Sequence, residues 1–365
     1  MSATHVPRAG RVVIFLLLAA FLLAACGGEG ERGGALAVTD ALGRTVELDG
    51  PPERITVAGR GGLLIVDALY LFPEGREHLA ALEERGQGIQ PFLAVTDPNW
   101  ADKTMLEANA GAEQIAPTDP DLVIAKSAMA ETLGPPLEAL GIPIFYVDLE
   151  TPETYARDLA ALGQVLGNPG RAEEVVGFYR ERLDLVADAT AGLADDARPS
   201  VLLIEYSDEE GGVAFSVPPA GWLQTTIVEL AGGEPVWTEA SEGGGWTVVG
   251  LEQIAAWNPD QIYVVDYNRD PGGVVEQLKA DSRWQALAAV QSDQIYGFPG
   301  DFVSWDQPDP RWILGLTWLF TKVQPELAGD VDITGEVHAF FEEMYSLDPA
   351  VVEAEVISRL FGSLP

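Results

Sequence analysis

An internal repeat is the feature that most constrains the fold of this chain. Glu113-Gln-Ile-Ala116 is followed by Pro120-Asp121, and Glu252-Gln-Ile-Ala255 is followed by Pro259-Asp260, with the same Glu-to-Pro spacing in both copies. Each copy continues into a short apolar run, which predicts a helix end, a Pro-Asp stop and then a buried strand. The copies lie 139 residues apart, about the length of one domain. The repeat therefore predicts two lobes of similar structure.

Apolar runs alternate with amphipathic stretches along the rest of the chain. The runs are rich in β-branched residues and are bounded by Gly, Pro or Asp, which is typical of strands covered on both faces. They lie at residues 54–59, 122–125, 142–147, 201–206, 262–265 and 294–298. Helical patterns occupy residues 154–166, 274–290 and 309–319. The alternation predicts an α/β fold with mostly parallel sheets, and residues 38–48 predict a small hairpin.

A single long helix is predicted between the two copies. Pro169 is a suitable first helical residue, and apolar side chains from Val175 to Val186 recur at helical spacing. We therefore expect residues 37–167 to form an N-terminal lobe and residues 168–194 to form a linking helix. Residues 195–365 should form a C-terminal lobe with C-terminal helices.

The start of the chain has the pattern of an export signal. A basic segment precedes the apolar run from Val12 to Ala25, which is too short to span a bilayer core of ~30 Å. Leu23-Ala24-Ala25-Cys26 resembles a bacterial lipobox, and the chain has one Cys. We expect residues 1–25 to be a lipoprotein signal peptide, Cys26 to carry lipid, and residues 26–36 to be a flexible tether. The alternative is an ordinary signal with an incidental Cys.

Composition excludes several classes of function. The chain has 57 Asp+Glu against 21 Lys+Arg, and its net charge of −36 opposes binding to nucleic-acid phosphates. One Cys excludes a disulfide framework. Apart from His5 in the signal, only His78 and His338 remain, and they match no ligand spacing for a transition metal. We therefore predict no metal held by the protein itself and no other cofactor.

Basic residues are scarce, so those at predicted strand ends are informative. Ligands of open α/β sheets bind beyond the carboxyl ends of the strands. Arg60 and Lys126 follow strands of the first lobe, and Arg269 and Arg311 take comparable positions in the second. This placement predicts a local positive site for an anionic ligand. The alternative for each residue is a surface salt bridge of little energetic value.

Aromatic residues near the same loops could stack on an organic chelator. The candidates are Trp100, Trp222, Trp246, Trp305 and Tyr267. The alternative for any one of them is packing within a lobe.

Together these features resemble the substrate-binding proteins of bacterial ABC importers, in the class whose lobes are joined by one long helix (class III periplasmic binding proteins). The matching residues are the hairpin with Pro52-Glu-Arg-Ile55, the two repeat copies, and the region from Ser304 through Gln324-Pro-Glu326. The resemblance implies a receptor that captures a solute between its lobes and delivers it to a permease dimer. Members of the class bind ferric siderophores, haem, cobalamin, metal ions or oxyanions.

The resemblance also implies that Glu113 and Glu252, one on each lobe, contact arginines of the permease. The alternative for each is stabilisation of a helix dipole. Together with the lipobox, the resemblance implies a monomeric receptor that is lipid-anchored on the outer face of the cytoplasmic membrane.

A ferric chelate of siderophore type is the favoured ligand, because it would use both the basic and the aromatic residues. A molybdate- or tungstate-type oxyanion, cobalamin and haem are the alternatives. The alternative to a receptor is a secreted hydrolase with paired carboxylates among Asp208, Glu209, Glu210, Asp301 and Asp306. The sequence has no nucleophile elbow, no His-Glu-x-x-His motif and no triad His in a plausible loop, so we predict that the protein is not an enzyme.

Overall fold

The computed structural model describes residues 35–84, 89–208, 212–241 and 243–364. The predicted signal peptide, Cys26, Glu209 and Glu210 lie outside the described residues. The strands are β1 (Leu36–Thr39), β2 (Thr45–Leu48), β3 (Ile55–Val57), β4 (Leu79–Glu83), β5 (Thr104–Leu106), β6 (Leu122–Lys126), β7 (Ile144–Val147), β8 (Ser200–Ser207), β9 (Ala214–Val217), β10 (Glu234–Pro235), β11 (Thr247–Val249), β12 (Gln261–Val265) and β13 (Ile295–Gly297).

The helices vary from single turns to one of 22 residues. They are α1 (Gly62–Leu69), α2 (Pro73–His78), α3 (Ile89–Thr96), α4 (Ala112–Ile115), α5 (Ala130–Ala139), α6 (Pro152–Val165), α7 (Pro169–Thr190), α8 (Leu223–Leu230), α9 (Leu251–Trp257), α10 (Gly272–Ala280), α11 (Ala288–Gln291), α12 (Trp312–Val323), α13 (Pro325–Ala328), α14 (Ile333–Tyr345) and α15 (Pro349–Val351). Within the described ranges, none of them combines the length and the apolar character needed to cross a bilayer.

The predicted hairpin is confirmed. β1 and β2 pair antiparallel, with Val38 opposite Val46. The Asp40 carboxylate accepts a hydrogen bond from the Arg44 amide at 3.0 Å and forms an ion pair with its guanidinium at 2.9 Å, which closes the turn. The same guanidinium lies 4.5 Å from the ring centre of Tyr146 in β7, so it also attaches the hairpin to the first sheet.

The first sheet is parallel throughout, in the order β5-β4-β3-β6-β7. Side chains of alternate residues enter different cores, as strand geometry requires. Val57 and Ile124 belong to the large core that includes α1, whereas Val123 and Ala125 belong to a smaller core that includes Leu133 of α5. Burial on both faces explains why β3 and β6 are continuous apolar runs.

The second sheet has the order β11-β9-β8-β12-β13, with β10 also pairing with β8. β8, β10, β12 and β13 are parallel, but β9 and β11 pair antiparallel on one side. The connection from β8 to β9 is only residues 208–213, which is too short for a parallel crossover. The predicted α/β fold of two similar lobes is confirmed, with mostly parallel sheets and this antiparallel addition.

The repeated Pro-Asp segments have the same local structure in both lobes. The Asp121 carboxylate accepts a hydrogen bond from the Arg54 amide at 3.1 Å, directly before β3. The Asp260 carboxylate accepts one from the Ser200 amide at 2.9 Å, at the start of β8. Each Asp therefore joins the start of its own strand to the start of the neighbouring central strand.

Helix α7 is the predicted long connection between the lobes, and it is confirmed. Its 22 residues extend for about 33 Å. The Asn168 side chain accepts a hydrogen bond from the Arg171 amide at 3.1 Å and so caps the helix, and Pro169 occupies the first helical position. The predicted start of the linking helix thus coincides with a side-chain cap.

The C-terminal helix α14 packs against the first lobe. Its Tyr345 ring lies edge-on to Phe92 of α3, with 4.8 Å between ring centres. The Arg171 guanidinium donates hydrogen bonds to the carbonyl oxygens of Glu343 and Met344, both at 2.8 Å. Helix α14 therefore contacts both the first lobe and α7.

A buried ion cluster also joins the lobes. The Arg311 guanidinium contacts the carboxylates of Asp67 in α1 and of Asp301 and Asp309 in the second lobe, and all four side chains are fully buried. The Tyr345 hydroxyl donates to Asp67 at 2.6 Å. Three carboxylates thus surround one cation. Burial raises the pKa of Asp67 well above its ordinary value, and the neighbouring Asp309 raises it further against the opposing effect of Arg311. The folded state therefore binds a proton at Asp67 more tightly than the unfolded state does.

Replacing Asp67 by Asn tests this protonation. Since folding raises the pKa of Asp67 above its unfolded value of about 3.9, the folded state holds a proton that the unfolded state has lost at higher pH. The wild-type protein should therefore lose stability relative to Asp67→Asn as the pH rises from about 4 toward 7, by at most about 1.4 kcal/mol per pH unit. Urea unfolding across this pH range measures the difference. Asp188→Asn, at an exposed position of α7, is the matched control. A pH-independent difference for Asp67→Asn would contradict the assignment.

Candidate ligand-binding site

A hydrogen bond joins segments that follow the carboxyl ends of strands in the two sheets. The Tyr155 hydroxyl, in the first turn of α6 beyond β7, donates to the carbonyl oxygen of Pro308 at 2.8 Å. Pro308 belongs to the loop that follows β13. A cleft between these two edges is where an α/β protein binds its ligand. The first-lobe edge comprises residues 58–61, 126–129 and 148–151, and the second-lobe edge comprises residues 207–208, 266–271 and 298–311.

Arg60 lies at the first-lobe edge and is exposed. It stands between Gly59 and Gly61, whose φ angles of +89° and +79° are in the left-handed region that favours glycine. Among the described residues, no carboxylate forms an ion pair with its guanidinium. Arg60 therefore remains available to a ligand.

Lys126 also lies at the first-lobe edge, but its ammonium group is committed to the protein. The side chain is buried, and Nζ donates to the carbonyl oxygens of Asp148 and Leu149 and to the Glu150 carboxylate at 2.8 Å. Its charge is therefore neutralised locally, and its bonds hold the loop between β7 and α6.

Arg269 lies at the second-lobe edge and is half exposed. Its guanidinium forms ion pairs with Asp208 at 2.6 Å and Asp266 at 2.8 Å. These two hydrogen-bonded carboxylates raise the pKa of Arg269 above its ordinary value. Arg269 is therefore at the predicted edge, but its positive charge is already paired with two carboxylates.

Arg311 and Trp305, which the sequence places among the ligand-binding candidates, lie at the interlobe cluster. Both side chains are fully buried, and the Trp305 indole donates to the Asp301 carboxylate at 3.1 Å. The loop that carries them turns inward, because its Asp residues and Arg311 neutralise one another in the interlobe cluster. In this conformation neither side chain reaches the cleft.

Trp222, Trp246 and Tyr267 come together and form what we call the aromatic shelf. The Trp222 and Trp246 rings are perpendicular with centres 5.8 Å apart, and Trp246 and Tyr267 are 6.1 Å apart at 66°. Both indoles are half-buried, and Tyr267 is 37% exposed. Tyr267 directly follows β12, so the shelf is continuous with the second-lobe edge.

Trp100 is the remaining aromatic candidate, and the structure places it elsewhere. It lies between α3 and β5, at the amino end of a strand, and packs against the core. Because the amino and carboxyl ends of parallel strands form opposite edges of a sheet, Trp100 is remote from the cleft. The sequence pattern did not reveal β4 and β5, which are short, and so gave no means of orienting this residue.

Two buried carboxylates lie at the candidate site and accept hydrogen bonds from different kinds of group. At the first-lobe edge, the Glu83 carboxylate accepts hydrogen bonds from the amides of Gly59 at 2.6 Å and Asn109 at 3.1 Å, which holds the loop beside Arg60. Sequence analysis missed Glu83, because an acid after the apolar residues 79–82 signals a strand end only once β4 is recognised. The second carboxylate, Asp306, lies beneath the aromatic shelf.

Asp306 is fully buried and accepts three hydrogen bonds from neutral side chains. The donors are the Tyr267 hydroxyl at 2.7 Å, the Ser304 hydroxyl, and the Gln224 amide at 3.3 Å. Burial raises the pKa of Asp306, and the three hydrogen bonds oppose that shift. A cavity of about 460 Å³ adjoins this network, lined by residues 266–270, 302–304, 307 and 361. In the described parts of the chain, His, Asp and Glu side chains do not group into a metal-binding set of three or more.

Glu113 and Glu252 occupy equivalent positions in the two lobes. Each is the second residue of a helix, α4 or α9, and follows a glycine at the N-cap. Both side chains are exposed. Helix α4 is the next helix after β5, with five residues between them, and α9 follows β11 with one residue between them, so each Glu follows the carboxyl end of a strand and has its carboxylate near a helix N-terminus.

Comparison with known proteins agrees with this architecture. Residues 75–302 match the Periplasmic binding protein family. The Iron-uptake system-binding protein of Bacillus subtilis (strain 168) is 22% identical over 299 residues, which cover 78% of this chain and 89% of the relative. The Fe(3+) dicitrate-binding periplasmic protein FecB of Escherichia coli (strain K12) is 24% identical over 232 residues, covering 63% and 66%.

The fold is also similar to that in a crystal structure of a periplasmic solute binding protein from Veillonella parvula DSM 2008. The TM-score is 0.72 at 21% identity, and the match covers 89% of this chain and 98% of that chain. With the family match extending over more than half of the residues, the chain belongs to the periplasmic binding protein family.

Proposed function

We propose that this protein is the solute receptor of an ABC importer and that it captures a ferric chelate between its lobes. The observation that carries the proposal is the aromatic shelf at the second-lobe edge, beside the carboxyl end of β12. Two half-buried indoles and a partly exposed phenol provide contact area for the organic part of a chelate. Two relatives are named for iron uptake and for ferric dicitrate binding.

A chelate fits the site better than a bare oxyanion such as molybdate or tungstate. An oxyanion needs several unpaired donors that converge on it. Of the four predicted cations, Lys126, Arg269 and Arg311 have carboxylate partners within the protein, which leaves Arg60. The same shelf would also accept the flat face of haem or the ring system of cobalamin, so these remain the second candidate ligands.

A hydrolase is disfavoured by the state of the candidate carboxylates. Asp301 is buried against Arg311 and Trp305, and Asp306 is enclosed by its three donors. Neither presents an oxygen to a water-accessible substrate position together with a second carboxylate, as glycoside hydrolysis requires. The relatives are binding proteins, which also supports a receptor rather than an enzyme.

The proposal includes lipid attachment at Cys26 and docking through Glu113 and Glu252. A monomer tethered to the outer face of the cytoplasmic membrane would present both carboxylates to arginines of a permease dimer. Arg–carboxylate pairs are directional, so a pair on each lobe would report the relative position of the lobes. The contacts of Arg311, Arg171 and Tyr155 across the lobes support a small rather than a large closure.

The ligand can be identified on protein purified from its own source. Native mass spectrometry with elemental analysis should find an added organic mass together with iron. Trp246→Leu should lower the retained fraction about tenfold, because it removes an aromatic face worth roughly 1–2 kcal/mol. Trp100→Leu, also a half-buried Trp but remote from the cleft, is the matched control. Recovery of molybdenum or tungsten without an organic mass would instead support an oxyanion receptor.

Docking can be separated from ligand binding with the double variant Glu113→Gln/Glu252→Gln. Ligand affinity should be unchanged, because both carboxylates are exposed and lie outside the shelf. Uptake by cells carrying the cognate permease should fall about tenfold or more, since two charge pairs are lost. Glu173→Gln, at an exposed position of α7, is the charge control. Normal uptake by the double variant would exclude these residues from docking.

A further inference from the structure

We infer that the ligand presents a positively charged group, such as an ammonium, to the aromatic shelf. The inference rests on the proposed function and specifies the charge of the chelate. It differs from the anionic ligand that the positions of the basic residues predict. Three features of the second-lobe edge carry it: the exposed ring faces, the buried carboxylate beneath them, and the excess of acids around them.

The shelf has the arrangement that cations prefer. Its three rings meet at steep angles, 90° between Trp222 and Trp246 and 66° between Trp246 and Tyr267, so a group placed among them meets more than one ring. The negative face of an aromatic ring attracts ammonium groups, and the attraction grows when water is excluded. The partial exposure of all three rings leaves them open to such a group.

Asp306 places a buried carboxyl group directly beneath Tyr267 of the shelf. Both of its carboxylate oxygens accept hydrogen bonds, Oδ1 from Ser304 and Oδ2 from Tyr267 and Gln224. Each donor is a neutral hydroxyl or amide. Burial raises the pKa of Asp306 and outweighs these three hydrogen bonds, which favour the ionised form. Among the described residues, no ammonium or guanidinium forms an ion pair with Asp306. A buried carboxylate costs free energy unless a positive charge lies near, and a cation on the shelf would supply that charge.

Among the described residues of the second-lobe edge, acids outnumber bases. Asp208, Asp266 and Arg269 form one network at its rim, in which two carboxylates share a single guanidinium. Glu205 is close enough to Tyr267 to raise the pKa of its hydroxyl, after the larger effects of burial and Asp306. The second-lobe side therefore has an excess of negative charge, which attracts cations and repels anions.

The first-lobe edge does not reverse this balance. Lys126 is neutralised by Glu150, and Arg157 by Asp148 and Asp158. Of the cations predicted to bind the ligand, Arg60 is the one without a carboxylate partner among the described residues. It belongs to the first-lobe edge and could contact the oxygen-rich metal centre of a chelate while the ammonium end occupies the shelf.

A series of ferric chelates that differ in one terminal group tests the inference. The probes are a linear ferric trihydroxamate with a terminal ammonium, its neutral N-acetylated form and its anionic N-succinylated form. Quenching of tryptophan fluorescence on titration gives the three affinities. We expect the ammonium form to bind about tenfold more tightly than the acetylated form, and the succinylated form to bind most weakly. Equal affinities, or tightest binding of the succinylated form, would overturn the inference.

Two variants link the preference to the shelf. Asp306→Asn keeps the size and hydrogen-bonding capacity of the side chain but removes its charge, so the ammonium form should lose its advantage. Asp188→Asn removes the same charge from an exposed position of α7 and should leave the preference unchanged, which separates the site from the bulk acidity. Trp246→Leu provides a second shelf variant if Asp306→Asn fails to fold. An undiminished preference in the shelf variants would place the cation elsewhere and overturn the inference.

A metal-free pair of probes separates the ligand's charge from its class. Saturation-transfer NMR compares benzyltrimethylammonium with phenylacetate. If no trihydroxamate binds but benzyltrimethylammonium does so in a manner that depends on Trp246, the inference stands and the ferric chelate proposal fails. If the chelates bind without regard to charge, the proposal stands and the inference fails. Stronger binding of phenylacetate, or no binding of either probe, would overturn the inference.

Discussion

The relative position of the two lobes depends on one buried guanidinium group. Arg311 contacts Asp67 of the first lobe and Asp301 and Asp309 of the second, away from water. Transfer of these charges out of water is costly, and the cost is recovered only while the lobes hold all four groups together. A rotation that separated Asp67 from Arg311 would leave buried polar groups of both residues without their hydrogen-bond partners. The cluster therefore favours a narrow range of lobe positions and keeps the two edges of the cleft in register.

The internal repeat contains two features that occur in both lobes: a hydrogen bond between neighbouring strands and an exposed Glu at a helix N-terminus. In each lobe the Asp of Pro-Asp accepts a hydrogen bond from the residue that begins or precedes the neighbouring central strand, Arg54 or Ser200. The residue before each Pro-Asp pair, Asp119 or Asn258, adopts a positive φ of 52° or 42°, which ends the helical segment before the strand begins. The Glu at the head of each copy then lies at the same helix terminus on both lobes. The duplicated segment thus joins neighbouring strands in each lobe and places an exposed carboxylate at the equivalent position in both.

Local signals made much of the fold predictable, whereas long-range pairing decided the site. The hairpin and α7 follow from residues within one turn or one helix, such as Asp40 with Arg44 and Asn168 with Pro169. Parallel strands place their carboxyl ends at one edge, so the positions of Arg60 and Lys126 could also be predicted. Whether these cations are free to bind a ligand could not be predicted. The partner of Lys126 is Glu150, which lies on a loop whose position depends on the folded sheet. The antiparallel pairing of β9 with β8 and the burial of the loop that carries Trp305 also depend on tertiary contacts, which local sequence patterns do not reveal.

Scarce cations in a chain of net charge −36 act mainly as internal cross-links. Arg54 donates to the carbonyl oxygen of Thr118, Arg171 to those of Leu71 and Met344, and Lys126 to that of Asp148. Carboxylates are so abundant that a basic side chain at a strand end finds a counter-ion unless glycines surround it, as at Arg60. A basic residue at a strand end is therefore weak evidence for an anion site in so acidic a protein. Among the described residues, Asp306 beneath the aromatic shelf forms no ion pair with a basic side chain, and under our inference a positively charged group of the ligand would supply the missing charge.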